Sequence, residues 1–247
     1  MVWARGWREA LWNQLERERA PWDLLIIGGG ITGAGILREA ARAGLRALLV
    51  ERRDFAWGAS SRSSKLVHGG LRYLKQGDVR LMREAIHERE RLLRAAPGLV
   101  TPVTFLVPTY AGVRPGRWGY AAALGLYDLV GRHWDHPHSG REDVVLRAPH
   151  LARAGLSGGF RYGDAQTDDA RLVLRLLGEG VAAGGAALSY TEVTTLLRRD
   201  GQVVGARLRD EAGDEERGRE LEVHAHAVVN ATGAWADRLR GQVGGAA

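Results

Sequence analysis

Asp23-Leu24-Leu25-Ile26-Ile27-Gly28-Gly29-Gly30-Ile31-Thr32-Gly33-Ala34-Gly35 is the stretch whose reading decides the fold. An apolar run breaks into a glycine cluster. A helical pattern follows through Ile36, Leu37, Ala40 and Ala41, then Gly44, then a second apolar run from Leu45 to Val50 closed by Glu51. The order is strand, glycine turn, helix, strand, acid. Within GxGxxG, Gly28 turns the chain tightly, Gly30 lets backbone N–H groups approach a pyrophosphate, and Gly33 lets the helix pack on the strand. Thr32 lies on the first helical turn, where the macrodipole favours an anion. Glu51 follows Gly28 by 23 positions (51 − 28 = 23), close to the spacing of about 20 at which an acid accepts hydrogen bonds from an adenosine ribose. The strand, helix and acid in their places turn a weak glycine motif into a dinucleotide site.

Outward from this stretch, the 247 residues are enough for a substantial core and one or two domains. The net charge of +6 comes almost wholly from arginine, Lys65 and Lys75 being the only lysines, and the arginines alternate with acids in stretches such as Arg83 to Arg94. No block of like charge marks one face for nucleic acid, so that partner is excluded. Absence of cysteine excludes disulfides, thiolate-bound iron–sulfur clusters and a cysteinyl flavin link. No apolar stretch is long enough to span a bilayer and no signal peptide is recognisable, so a cytoplasmic protein is expected, at most peripheral on the inner face of a membrane.

Residues 1–20 read as an amphipathic helix, with Trp3, Trp7, Leu11 and Leu15 on one stripe and Pro21 as its stop. That stripe suits packing on the domain better than a membrane surface. Val79, Met82, Ile86 and Leu93 predict a helix stopped by Pro97-Gly98, Val103 to Val107 a strand ended by Pro108, and Trp118 to Val130 a helix. His133, His136 and His138 read as solvated loop histidines, and no metal is expected. Phe160 to Tyr162 is followed by a loop and a helix from Asp168 to Ala183, whose two leading acids are explained by capping. Ala187 to Tyr190 reads as a strand. Val193 to Leu197, Val203 to Leu208 and Leu221 to Val223 read as antiparallel strands with an Asp200-Gly201 hairpin. Ala227 to Ala231 reads as a short buried strand whose end, Thr232-Gly233, borders the cofactor crevice.

The segment after Glu51 is the most specific: Gly58-Ala59-Ser60-Ser61-Arg62-Ser63-Ser64-Lys65-Leu66-Val67-His68-Gly69-Gly70-Leu71-Arg72-Tyr73-Leu74. Turn chemistry alone accounts for a serine and glycine loop. Its density of small donors also suits a backbone passing close to a flat cofactor and its phosphates. A dinucleotide site followed by such a loop, without a nicotinamide-enzyme catalytic pattern, favours FAD. This segment, with the upstream glycine motif, closely resembles the FAD-dependent glycerol-3-phosphate dehydrogenases, members of the D-amino-acid-oxidase-like flavoprotein group. The resemblance continues through the helix around Glu84 to Ala96, Tyr162-x-Asp164, Asp168-Asp169-Ala170-Arg171-Leu172-Val173 and Asn230-Ala231-Thr232-Gly233-Ala234-Trp235.

The resemblance implies an α/β fold: a Rossmann-like, FAD-binding doubly wound sheet (about residues 21–76 and 160–240) with an inserted, incomplete α+β substrate or cap domain (about 77–159), after the N-terminal helix and before a disordered end at 241–247. It implies FAD contacts from Gly28, Gly30, Thr32, Gly33, Glu51, Arg52, Ser60, Ser61, Ser63, Ser64, Lys65, Leu66, His68, Gly69, Gly70, Ala231, Thr232 and Gly233, with the Val193 backbone beside the adenine. It implies oxidation of sn-glycerol 3-phosphate to dihydroxyacetone phosphate with electrons passed to quinone. Arg72 matches the family arginine near the substrate phosphate, where a forked guanidinium suits a dianion. Two roles are open to His68, removal of the hydroxyl proton or shaping of the flavin loop. The family also implies a considerably longer chain, so these 247 residues alone are expected not to turn over substrate. Rival readings are a relative oxidising an amine or another hydroxy acid, and a non-catalytic FAD-binding chain.

Overall fold

The computed structural model describes residues 3–68, 77–131, 136–212 and 218–243. They form two compact units, residues 1–63 with 169–247, and residues 64–168.

The first unit is built on a six-stranded sheet. Its strands are β1 (Trp22–Ile27), β2 (Ala47–Val50), β7 (Ala186–Leu188), β8 (Thr191–Arg199), β9 (Gln202–Asp210) and β10 (Glu220–Asn230), in the order β7-β2-β1-β10-β9-β8. β7, β2, β1 and β10 are parallel neighbours, and β8, β9 and β10 pair antiparallel. The strand-helix-strand reading of the opening stretch holds, with α2 spanning Ile31–Arg42. Ile26, Ala47 and Leu49 pack with Ala34 and Leu37 of α2 and with Val173 and Leu177 of α6 (Asp169–Ala182). Leu25, Ile27, Leu48 and Val50, on the opposite face, meet Trp12 and Leu15 of α1 (Trp7–Arg17) together with Ala206, Leu208 and Val223 of the antiparallel ribbon. The N-terminal stripe is therefore spent on the sheet. Arg8 of α1 donates to the Ser189 and Tyr190 carbonyls, each at 2.9 Å, and to the Asp210 carboxylate.

β10 differs from its two-piece reading. It is one strand, paired through Glu220–His224 with β9 and from Ala225 onward with β1. Nor is its second half buried: Ala227 is exposed and Val229 half-buried, because among the described residues no helix covers them and β9 has already turned away. The expected hairpin is present, with Asp200 (φ 52°) and Gly201 (φ 80°) both left-handed between β8 and β9. Residues 241–243, expected to be disordered, form a 3-10 turn before which α7 (Ala236–Arg240) ends. Gln242 ties this turn to β8 by accepting from Leu196 N–H at 2.9 Å. Residues 244–247 lie outside the described residues.

The second unit has β3 (Leu66–Val67), β6 (Leu156–Thr167) and β4 (Val100–Tyr110) in that order, with β5 (His138–Ser139) also pairing β6. Its helices are α3 (Val79–Ala95), α4 (Gly116–Gly131) and α5 (Arg141–Arg147). β4 runs straight through Pro102 and Pro108, where the sequence predicts a stop at Pro108. β4 is an edge strand, and there a missing N–H on the open side leaves no bond unmade. β6 likewise continues past Tyr162 to Thr167 instead of looping, since β3 and β4 flank it. These pairings also place the unit boundaries at Ser63/Ser64 and Asp168/Asp169, whereas residues 76/77 and 159/160 were the expected ones.

Met82 and Ile86 of α3 pack on Tyr127 of α4. Arg89, next on the same stripe, is 8% exposed and donates to the Tyr127 hydroxyl at 2.7 Å, to the Gly163 carbonyl at 3.3 Å and to Asp164 at 3.4 Å. His136 is half-buried rather than solvated, and His138 is exposed as expected but lies in β5 rather than in a loop. His136 Nδ1 pairs with the buried Asp128 carboxylate, and the His138 ring, though solvent-accessible, stands edge-on to Phe160 with centroids 4.9 Å apart. His133 lies outside the described residues. Among the described residues, no cluster of histidine and acids could hold a metal ion, and no helix is long and apolar enough to cross a membrane.

Candidate functional site

At the C-terminal end of β1 the chain is tightly constrained. Gly28 has φ 115°, and a Cβ there would lie 2.5 Å from the Ala231 carbonyl oxygen at the end of β10. A Cβ on Gly33 would lie 1.9 Å from the Gly28 carbonyl oxygen, so α2 can sit against β1 only if residue 33 has no side chain. Gly30 caps α2 without a side-chain bond, and no acid occupies the first helical turn. The positive end of the helix dipole is thus open to an anion. Thr32 is exposed on that turn.

Two loops border this helix end. Ala59–Ser61 forms a 3-10 turn, and Ser60 Oγ accepts from Ile31 N–H at 2.9 Å. A Cβ on Gly30 would fall 2.9 Å from that same Oγ. Ser61 is half-buried. Ser63 points elsewhere: its hydroxyl donates to Asp169 Oδ2 at 2.7 Å. On the other side, Ala231 N–H donates to the Ile27 carbonyl at 2.8 Å, extending the parallel pairing by one residue. Asn230 then organises the turn, its Oδ1 accepting from the Thr232 N–H (3.2 Å) and hydroxyl (2.7 Å) while its Nδ2 donates to the Ala236 carbonyl (2.8 Å). Gly233 follows with φ 60°.

At the far end of the crevice, Glu51 closes β2. Its Oε2 accepts from Gly29 N–H at 2.7 Å and its Oε1 from Arg53 N–H at 2.9 Å, so the acid is clamped to the glycine turn by backbone donors. Each oxygen keeps a lone pair for a further donor such as a ribose hydroxyl. Arg52 pairs with Glu192 at 3.2 Å, and the next residue, Val193, faces Leu208 of β9 beside a register shift in β8. Glu51, Arg52 and Val193 therefore gather where β2 and β8 approach, linked by Thr191 N–H to the Glu51 carbonyl at 2.8 Å.

Ser64, Lys65, Leu66 and His68 belong to the second unit. Ser64 and Lys65 are exposed, Lys65 is left-handed (φ 58°) with its carbonyl accepting from Thr167 N–H at 2.9 Å, Leu66 opens β3, and His68 is half-buried just beyond it. Gly69, Gly70 and Arg72 lie outside the described residues. Sequence reasoning missed the Ser63–Asp169 bond and the turn-building role of Asn230. Asn before a Thr-Gly pair is a recognisable turn signal, whereas nothing local announces a bond between residues 63 and 169.

An extended dinucleotide fits this crevice. A helix N-terminus free of acid, a glycine turn where a Cβ on Gly28 or Gly33 would collide with backbone, and the Glu51 carboxylate held by backbone donors suit pyrophosphate and ribose in turn. The profile of a family described as FAD dependent oxidoreductase (DAO) matches residues 23–247. Glycerol-3-phosphate dehydrogenase of Mycobacterium leprae is 42% identical over 241 residues, covering 94% of this chain and 39% of that protein. Alpha-glycerophosphate oxidase of Streptococcus pyogenes serotype M3 is 40% identical over 240 residues, covering 94% of this chain and 38% of that protein. Among solved structures, the glycerol-3-phosphate dehydrogenase from Bacillus halodurans complexed with FAD matches with a TM-score of 0.75 at 32% identity, over 98% of this chain and 40% of that one. The chain thus spans about two fifths of the length of these relatives. On its backbone geometry and on a match that runs from β1 to the last residue, the chain belongs to the FAD dependent oxidoreductase family.

Proposed function

We propose that this chain is the FAD-binding portion of an enzyme that oxidises sn-glycerol 3-phosphate to dihydroxyacetone phosphate. The observation that carries the reading is the 42% identity to a glycerol-3-phosphate dehydrogenase over 94% of the chain, combined with a crevice shaped for a dinucleotide. Bound FAD supplies the two-electron acceptor for the hydride leaving C2 of the substrate. The backbone from Gly28 to Gly30 and the start of α2, with Thr32 and Gly33, hold the pyrophosphate. Glu51 accepts from the ribose, and Arg52 and Val193 border the adenine. Ser60, Ser61, Ala231, Thr232 and Gly233 line the remainder within the first unit, and Ser63 braces the loop; for Ser64, Lys65, Leu66, Gly69 and Gly70 a cofactor contact draws support from the family resemblance alone. Arg72 meets the substrate phosphate, and His68 either takes the hydroxyl proton or shapes the loop.

Quinone as the acceptor, a cytoplasmic location and a peripheral contact with the inner face of a membrane complete the proposal. They draw support from the family resemblance alone. Such a contact would use a surface other than the apolar stripe of α1, whose Trp7, Leu11 and Leu15 pack against the sheet.

The test has two stages. The purified chain, reconstituted if necessary, releases FAD rather than FMN on denaturation. Co-expressed with the complementary C-terminal portion of a relative, it reduces a dye in the presence of sn-glycerol 3-phosphate. In that assembly Arg72→Ala raises KM for the phosphorylated substrate far more than for glycerol, since only the former loses an ion pair. Flavin uptake without substrate-dependent reduction by the assembly would overturn the assigned substrate.

A further inference from the structure

The chain leaves the first unit after Ser63 and re-enters it at Asp169. These two points, 106 positions apart, are bonded to each other. Asp169 Oδ2 accepts from the Ser63 hydroxyl at 2.7 Å and from the Ser63 N–H at 3.1 Å, while Oδ1 accepts from Ala170 N–H at 3.0 Å. Asp169 is 7% exposed and opens α6, so its charge is met by three donors and by the positive end of a helix. Capping of α6 would need none of the bonds to Ser63.

Ser63 is the last residue of the loop that carries Ser60. That loop is fastened in three places: Gly58 lies against the Trp235 ring, close enough that an added Cβ would sit 3.2 Å from it; Ser60 accepts from Ile31 N–H at the start of α2; and Ser63 is held by Asp169 at the start of α6. The first two fastenings lie at the dinucleotide crevice and are open to disturbance when an anion takes the Ile31 N–H. The third involves neither Ile31 nor the glycine turn, and its acceptor Asp169 is buried although Ser63 is exposed.

We propose that Asp169 is a positioning residue for FAD: it fixes the Ser60 to Ser63 loop through Ser63, so that Ser60 stands at the α2 N-terminus before the cofactor arrives. Asp169 itself touches no part of the cofactor. The proposal rests on the FAD-binding reading of the first unit. A loop that is already ordered pays less on binding than one ordered by the ligand.

The experiment compares the 247-residue chain with Asp169→Ala, Asp169→Asn, Ser63→Ala and the Ser63→Ala/Asp169→Ala double variant. FAD affinity is read by flavin fluorescence, loop order by the rate of trypsin cleavage after Arg62 and Lys65 in the FAD-free chain, and global folding by urea titration. Asp169→Ala is expected to weaken FAD binding about ten-fold or more, a change of about 1.4 kcal/mol, and to speed cleavage at both sites under conditions where urea titration shows the chain folded. Asp169→Asn, which keeps an acceptor for Ser63, recovers part of both effects. Ser63→Ala moves both readouts less, and the double variant is no worse than Asp169→Ala alone. Wild-type affinity and cleavage in Asp169→Ala would overturn the positioning role while leaving the FAD reading intact; failure of the wild-type chain to take up FAD would overturn both. If Asp169→Ala does not fold, Ser63→Ala decides, and an unchanged affinity and cleavage rate there would overturn the proposal.

Discussion

At the centre of the first unit Leu25, Ile26, Leu48, Leu49 and Leu188 are wholly buried and carry no charge. At the centre of the second, the apolar stripe of α3 is interrupted by Arg89, whose guanidinium is hydrogen-bonded to Tyr127, Asp164, Glu90 and a backbone carbonyl. The first unit can spread its stability over many apolar contacts, each fully buried side chain contributing about 1.5–3 kcal/mol. Its constraints of shape lie in backbone approaches that only glycine allows, at Gly28 and Gly33 of the turn and at Gly205 and Gly218 of the antiparallel ribbon. In the second unit the apolar clusters lie beside a buried guanidinium, and a buried charge is tolerable only while its partners are present. The difference separates where each unit is sensitive: the first to added volume at the glycine turn, the second to removal of a hydrogen-bond partner.

The strongest test of this contrast is Gly33→Ala. The new Cβ would fall 1.9 Å from the Gly28 carbonyl oxygen, and both sides of that contact are backbone. A loss of about 5 kcal/mol or more is expected in urea denaturation, at the extreme of single-substitution effects. A loss under about 1 kcal/mol would mean that the turn yields. Next is Arg89→Ala, expected to cost about 3–5 kcal/mol because Tyr127 and Asp164 lose a buried guanidinium. The combined variant Arg89→Met/Tyr127→Phe/Asp164→Asn should recover most of that loss by thermal denaturation. If it does not, the polar cluster is more than a mutually dependent set.

Smaller effects sharpen the contrast. Glu51→Gln places an amide where both carboxylate oxygens now accept from backbone N–H groups, so either Gly29 or Arg53 faces a second donor. FAD affinity should fall by about 1.5–3 kcal/mol in a fluorescence titration. Wild-type affinity would reduce Glu51 to a strand-end acid. Burial pushes the Tyr127 hydroxyl from its ordinary 10.0 up to about 12 against the pull of Arg89. Between these values the unfolded chain releases the phenolic proton and the folded chain keeps it, so stability falls as pH rises. The slope should amount to about 1–2 kcal/mol over that window. It should be missing from Tyr127→Phe when the two are compared by urea titration at pH 9 and pH 11.

The glycine turn was legible because each glycine answers a backbone need that has a fixed spacing, and Gly28, Gly33 and Glu51 stand where the spacing puts them. Edge status is not written locally. Pro108 therefore read as a stop although it lies in an edge strand, and β10 read as two pieces because its two halves serve different neighbours. Arg89 was available in principle: it falls in the helical stripe of Met82, Ile86 and Leu93, and a cation on an apolar stripe asks for buried partners. The tie between Ser63 and Asp169 had no such signal. The bonds cross 106 positions, and short-range patterns carry no information at that range.

The order of the sheet also sets a timetable for synthesis. β1 emerges early, yet its partner on one side is β10, with Trp22 opposite Ala225. At a translation rate of about 5–20 residues per second, the Leu24 to Ile27 edge waits on the order of 10 to 40 seconds for that neighbour. During the wait an apolar strand has an open side, the state most prone to pairing with another nascent chain. Slow loop closure over such a distance makes this late pairing a natural rate-limiting step in folding. Chaperone capture of nascent chains should accordingly be greatest while β1 is out of the ribosome and β10 is not.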